Sequence, residues 1–281
     1  MTWKEAWKRG AQSLQKAGVE EYDLDAWYLL EHVTGITKAS YYMEPEHPMH
    51  DQEEREYLEL IRKRSTRIPL QHLTGVQEFM GLEFYVNEHV LIPRQDTETL
   101  VELILNEHKE KNISLLDVCT GSGCIAVSLA KLGGYADVTA LDLSEEALKV
   151  AKSNGEKLLD HPVKFIKSDM FSALDPENRY DVIVSNPPYI PSQVIEGLEP
   201  EVKDHEPRMA LDGEPDGLKF YRILAEEGKK YLKNGGEIYM EIGWDQAKDV
   251  TEIFEAMGFS GLRTVRDMAG NDRVVCARKE K

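Results

Sequence analysis

Apolar positions recur at helical spacing through the first part of the chain. Trp3, Ala6, Trp7 and Leu14 share one stripe, and Trp27, Leu30 and Val33 share the next. Asp51 stands where an N-cap is wanted, ahead of a third helix carrying Tyr57, Leu58 and Ile61. The pattern predicts a small core of three or four helices over residues 1–75, with no chemistry of its own. After Gln77 the period shortens. Phe79, Leu82, Phe84 and Val86 flank Met80-Gly81, which predicts a β-hairpin. The run Leu91-Ile92-Pro93-Arg94-Gln95-Asp96-Thr97-Glu98 then leads into a helix ending near Leu105, with Asp96 or Thr97 as its cap. A domain boundary is expected here, with 76–94 as a hairpin linker.

Beyond it, strand and helix patterns alternate. Strands are expected at about 113–118, 137–142, 163–167, 180–185, 235–242, 261–266 and 272–278. This alternation predicts an α/β, Rossmann-like, doubly wound and mostly parallel sheet covered by helices on both faces.

Composition narrows the picture only slightly. With 281 residues the chain can bury a large core and a small one. Its 34 basic and 51 acidic residues leave a net charge of −17, a poor balance for gripping phosphate backbones. Arg62, Lys63, Arg64 and Arg67 form one short basic candidate patch. Cys119, Cys124 and Cys276 lack metal-ligand spacing, so no metal site is expected, and so few thiols suit a reducing compartment. The N-terminal residues have no apolar core of a signal peptide, and no run is long enough for a membrane span. A soluble, cytoplasmic monomer is the expectation.

Chemistry concentrates in two stretches. The strand Asp181-Val182-Ile183-Val184 stops abruptly at Ser185-Asn186-Pro187-Pro188-Tyr189. The prolines hold the loop stiff and remove two N–H donors, and Pro187 biases Asn186 away from helical conformation. What remains is the Asn186 side-chain oxygen, bare carbonyls and the Tyr189 ring: an acceptor-rich pocket for a planar –NH2 group.

The second stretch, Asp117-Val118-Cys119-Thr120-Gly121-Ser122-Gly123-Cys124, reads as strand, glycine turn and helix start. Such a turn lets a ligand approach the backbone closely and offers free N–H groups. Asp142 ends the next strand, 21 residues after Gly121, where a carboxylate commonly takes ribose hydroxyls. A third strand ends in Ser168-Asp169-Met170, suited to an adenine edge. Gly121-x-Gly123-x-x-Ala126 also satisfies a loose dinucleotide fingerprint, so an oxidoreductase stays open at this point. Asp117 inside the strand and the Asn-Pro-Pro-Tyr loop weigh against it.

Together these residues resemble a class I S-adenosylmethionine-dependent methyltransferase. Further segments extend the resemblance over nearly the whole chain: Pro69–Gly75, Val90–Arg94, Glu206–Leu211, Asp216-Gly217-Leu218, Glu241-Ile242-Gly243 and Asp267–Arg273. With them the chain resembles the peptide chain release factor N(5)-glutamine methyltransferase family. The resemblance implies a substrate-docking helical domain at 1–75 and a seven-stranded methyltransferase domain at 95–281. It implies methyl transfer from S-adenosyl-L-methionine, leaving S-adenosyl-L-homocysteine, to the glutamine amide of the Gly-Gly-Gln motif of class I release factors. Cys119, Thr120, Gly121, Ser122 and Gly123 would wrap the methionine end, Asp142 the ribose, and Met170 with Asp169 the adenine. Asn186 would meet both cofactor and substrate. Asn186, Pro187, Pro188 and Tyr189 would hold the substrate amide, with Asn186 and Pro187 as the catalytic acceptors. Three positions depart from the family pattern: Cys119 and Glu214 each replace a glycine, and Gln95-Asp96 replaces Pro-Glu.

Three rival readings stay open. One is an N-methyltransferase acting on adenine or guanine amino groups of a nucleic acid, which the acidity of the chain disfavours. The others are the oxidoreductase and a non-catalytic adaptor.

Overall fold

The structure is a computed structural model that describes residues 1–280. The chain forms two compact units. One comprises Met1–Val76 with Glu199–His205, and the other comprises Gln77–Leu198 with the chain from Glu206 onward.

In the first unit, helices Trp3–Lys16, Tyr22–Thr34 and Asp51–Arg64 carry the predicted stripes, joined by the short helices Lys38–Met43 and Leu70–Thr74. Leu14, Trp27, Leu30 and Tyr57 are fully buried among them. Burial of side chains of this kind stabilises by about 1.5–3 kcal/mol each. Asp51 is the first helical residue rather than the cap. His50 holds that place, its N–H donating to Glu53 Oε2 at 2.8 Å. The short downstream segment joins this unit through charge. Arg64 is buried and donates to Asp25 at 2.7 Å and to Glu201 at 2.9 Å, while Arg67 reaches Glu201 at 2.6 Å and Glu199 at 3.1 Å. Arg62 pairs with Glu59 at 2.7 Å. Three of the four basic residues of the candidate patch are therefore committed to carboxylates of this same chain.

The second unit begins within the first strand of a hairpin, β1 (Val76–Phe79) and β2 (Leu82–Tyr85). Met80 and Gly81 both have positive φ, 54° and 71°, the backbone that a tight two-residue hairpin requires. The main sheet contains β3 (Ser114–Val118), β4 (Asp137–Asp142), β5 (Lys164–Lys167), β6 (Tyr180–Ser185), β7 (Leu232–Glu241), β8 (Phe259–Arg266) and β9 (Asp272–Lys279). Its order is β5-β4-β3-β6-β7-β9-β8. The five strands from β5 to β7 pair in parallel, and β9 pairs antiparallel with both β7 and β8. Consecutive residues Leu115 and Leu116 enter opposite cores, so the sheet is covered on both faces, as its continuous apolar strands require.

The strand order reverses between β3 and β6. Residues following β3, β4, β5 and β6 therefore converge on one crevice at the carboxyl edge, where open α/β sheets bind ligands.

Candidate active site

At the end of β3 the chain turns sharply. Cys119, Gly121 and Gly123 all take left-handed backbone, with φ of 64°, 54° and 79°. Gly121 faces open space, leaving its backbone approachable, and its N–H donates to Asp142 Oδ2 at 2.8 Å. Gly123 serves a different purpose. A Cβ there would meet Ala151 Cβ at 3.0 Å, so this glycine lets the helix Cys124–Gly133 pack against the helix Glu145–Leu158. Asp142 also accepts the Ser144 N–H at 2.8 Å. Burial raises the Asp142 carboxyl above its usual range, against the pull of these N–H groups.

Asp117 is fully buried, with Oδ2 accepting the Thr120 hydroxyl at 2.6 Å and Oδ1 lacking a hydrogen-bond partner. Burial pushes it up to about 7, opposed by Thr120 and by the Ala126 N–H. Burial raises the Cys119 thiol, with Asp142, Asp117 and Asp169 adding to the rise. Of these carboxylates, Asp142 and Asp169 line one cavity with Cys119, where a cationic ligand is favoured. Met170 also has positive φ, 48°, and its sulfur lies 3.9 Å from that of Cys119.

The Asn186–Tyr189 loop follows β6. Its course is set by the segment 211–217. The Ile190 N–H donates to the Leu211 carbonyl at 3.0 Å and the Gly213 N–H to the Ile190 carbonyl at 2.9 Å. A Cβ on Gly213 would fall 2.8 Å from Tyr189 Cα, and one on Gly217 2.4 Å from the Tyr189 oxygen. Gln246 closes the clasp, donating to the Tyr189 carbonyl at 2.9 Å. Asn186 Nδ2 donates to Thr97 Oγ1 at 3.3 Å, and no residue takes Oδ1 at hydrogen-bond distance among the described residues.

A cavity of about 420 Å³ joins the two loops. That volume lies within the usual range for small-molecule sites. Cys119, Thr120, Gly121, Ser122, Asp142 and Met170 line it, as do Asp169, Asn186 and Pro188. Gly123, Pro187 and Tyr189 belong to the same two loops but are not among the residues that line it. The Tyr189 hydroxyl instead donates to Glu241 Oε1 at 3.4 Å. His205 lies in the helical unit, its ring nitrogen 3.2 Å from the Thr66 carbonyl. Among the described residues no group of three or more His, Cys, Asp or Glu can hold a metal ion.

The chain is similar to known proteins over nearly its whole length. A family model described as "PrmC N-terminal domain" matches residues 5–75, and one described as "Methyltransferase domain" matches residues 109–271. The chain is 40% identical over 272 residues to the release factor glutamine methyltransferase of Geobacter sulfurreducens, covering 97% of this chain and 94% of that one. Against the protein of the same name from Clostridium botulinum it is 38% identical over 282 residues, covering 99% and 100%. The chain belongs to the release factor glutamine methyltransferase family. A crystal structure of a methyltransferase from Pyrococcus furiosus shares the fold, with TM-score 0.55 at 19% identity over 78% of this chain and 99% of that one.

Set against the pattern of release factor glutamine methyltransferases, the two glycine replacements acquire a structural meaning. Cys119 and Glu214 both have left-handed backbone, φ 64° and 70°, so each holds a conformation that glycine adopts without strain. The Gln95-Asp96 departure places Asp96 3.0 Å from Arg273.

Three supporting residues are not legible from local pattern. Thr97 occupies the N-cap position of the helix Glu98–Glu107 but makes no cap bond; its hydroxyl serves Asn186 instead. Glu206 is buried, accepts the Ile92 N–H at 3.0 Å and pairs with Arg94 at 2.5 Å, tying two walls of the cavity together. Glu241 is buried behind Tyr189. Thr97, Glu206 and Glu241 all lie in or beside the segments that carry the family resemblance, and that is their one signal in the sequence.

Proposed function

We propose that the protein methylates the side-chain amide nitrogen of the glutamine in the Gly-Gly-Gln motif of class I peptide chain release factors, using S-adenosyl-L-methionine. The observation that carries this reading is the orientation of Asn186. Its amide nitrogen is engaged by Thr97 while its oxygen is left as an acceptor at the cavity wall. The residues present also fit the methyl donor. Asp142 sits beside the open face of Gly121, and the Ser122 hydroxyl and Asp117 Oδ1 are buried without partners.

S-adenosylmethionine, when bound, supplies an electrophilic methyl group. The chain's own residues must then present an amide nitrogen, a weak nucleophile because its lone pair is delocalised into the carbonyl. Asn186 Oδ1 and the Pro187 carbonyl accept the two N–H bonds of the substrate glutamine, orienting its nitrogen and stabilising the positive charge that develops there. Tyr189 backs the amide plane. No dedicated base is required, because a methylated, protonated amide is strongly acidic. In this reading Cys119 to Gly123 and Asp142 hold the donor, Met170 and Asp169 border its adenine, and the helical unit docks the release factor.

The test is methyl transfer from labelled donor to a purified class I release factor, beside a factor with the Gly-Gly-Gln glutamine replaced and beside RNA and DNA. Label on the intact factor alone is the expected result. Label on nucleic acid, or on the replaced factor, overturns the assignment.

A further inference from the structure

Asn186 follows β6 directly, and Arg273 lies near the start of β9. Strand β7 pairs with both β6 and β9, so a single sheet carries the two residues. Thr97, the hydrogen-bond partner of Asn186, is outside that sheet. It ends a single 3-10 turn, Gln95–Thr97, ahead of the helix Glu98–Glu107. Its hydroxyl goes to Asn186, so the helix start has no side-chain cap of its own. The charged residues on either side hold Thr97 instead. Glu98 Oε1 accepts the Met80 N–H at 2.6 Å, which ties the turn to the hairpin. Asp96 pairs with Arg273 at 3.0 Å, which ties it to the main sheet.

The Arg273 end of that pair is held independently of Asp96. Its side chain is 10% exposed, with Nε and Nη2 donating to Asp267 Oδ2 at 3.1 and 3.0 Å. Nη1 donates to the Ile242 carbonyl at 3.4 Å, and the Arg273 carbonyl accepts the Ile242 N–H at 2.9 Å. A planar guanidinium fixed by these bonds offers Asp96 one place to dock. Asp267 already balances the charge of Arg273, so Asp96 is not needed to neutralise a buried cation. The side chain of Asp96 is half-exposed, and such a pair adds little stability. What it adds is a position. Residue 95 increases that need: the family pattern has proline there, whose ring would fix φ, and Gln95 leaves that dihedral free.

We propose that Asp96 is a positioning residue for methyl transfer, holding the Thr97 hydroxyl against the Asn186 amide nitrogen through its ion pair with Arg273. This inference deepens the reading given above and rests on it. Among the described residues Asn186 makes no other side-chain hydrogen bond, so Thr97 alone keeps its –NH2 engaged and its oxygen free for the substrate. Without Asp96 the turn is no longer tied to the sheet that carries Asn186. The 3.3 Å bond between them then loosens, and the acceptor loses its single orientation. The chemical step slows because the substrate nitrogen is less well aligned. Donor binding rests on the loops after β3 and β4 and is untouched.

The experiment compares wild type with Asp96→Ala and Asp96→Glu, and repeats Asp96→Ala in an Asn186→Ala background. It reads kcat and KM for the release factor with donor saturating, S-adenosylhomocysteine affinity and Tm. Asp96→Ala is expected to lower kcat about 10-fold, with Tm moved by a few degrees at most and S-adenosylhomocysteine affinity unchanged. Asp96→Glu, which supplies the acid of the family pattern, should recover most of that loss. In the Asn186→Ala background Asp96→Ala should cost nothing further, because the group it positions is gone. An unchanged kcat in Asp96→Ala overturns the inference, as does a loss that only tracks lower Tm or weaker donor binding. So does a loss that Asp96→Glu fails to repair, or one that persists in full without Asn186. Failure of the release-factor assignment is separable: a wild type that methylates nucleic acid but not the factor refutes that substrate, and the same kcat comparison is then read on the nucleic acid.

Discussion

Replacing Asn186 by alanine separates catalysis from folding and from cofactor binding. In the folded protein Asn186 makes one side-chain hydrogen bond, 3.3 Å to Thr97, and its side chain is only part-buried. Losing such a bond costs about 0.5–1.5 kcal/mol, so the variant should remain folded with a Tm a few degrees lower at most. The Asp142 and Gly121 contacts of the donor site lie on other loops and stay intact. S-adenosylhomocysteine affinity by calorimetry should accordingly change by no more than a few-fold. Turnover is another matter. The Asn186 oxygen is one of two acceptors proposed to hold the reacting nitrogen and meet its developing charge. Removing one preorganised contact of this kind costs about 2.7–4 kcal/mol of transition-state stabilisation, a drop in kcat of about 10²–10³-fold. The assay is label transfer to release factor with donor saturating. Turnover within about threefold of wild type, far below that range, would refute the role assigned to Asn186.

Other perturbations follow from the same geometry. Asp142→Asn leaves an –NH2 against one of two N–H groups now accepted at 2.8 Å; a lost charged bond of about 1.5–3 kcal/mol predicts roughly 10–100-fold weaker S-adenosylhomocysteine binding, checked by calorimetry. Gly123→Ala places a Cβ 3.0 Å from Ala151 Cβ at a φ of 79°. Left-handed strain and overpacking together predict about 2–5 kcal/mol of destabilisation, and an unchanged denaturation midpoint would contradict it. Asp117, raised to about 7, binds its proton more tightly folded than unfolded. Its contribution to stability is present at low pH and is lost as pH rises from near 4 through 7. Asp117→Asn should therefore lose less stability than wild type over that window in denaturant titrations at several pH values.

Much of the local chemistry of this chain is legible in its residues alone. Strand-turn-helix periodicity, the glycines at 121 and 123, Asp142 and the Asn-Pro-Pro-Tyr loop act through backbone limits that neighbours in the chain impose. They locate both loops of the site, and the fold sets them on one cavity. The basic cluster at 62–67 shows the limit of such reading. Charge along the chain suggests a surface patch, yet Arg64 and Arg67 spend their charge on Glu201, more than a hundred residues away. Thr97 shows it again, for its position marks a cap and its hydroxyl goes to Asn186.

What the sequence by itself determined is the set of elements, the sheet class and the two loops that carry the chemistry, because each depends on short-range sterics and periodic burial. The tertiary structure alone decided which partners complete those loops. Thr97 behind Asn186, Glu241 behind Tyr189 and Glu206 across the cavity meet only because parallel strand order brings residues 52 to 114 positions apart to one edge. A hydrogen-bonding side chain declares what it can bond, while the fold decides which group comes within reach.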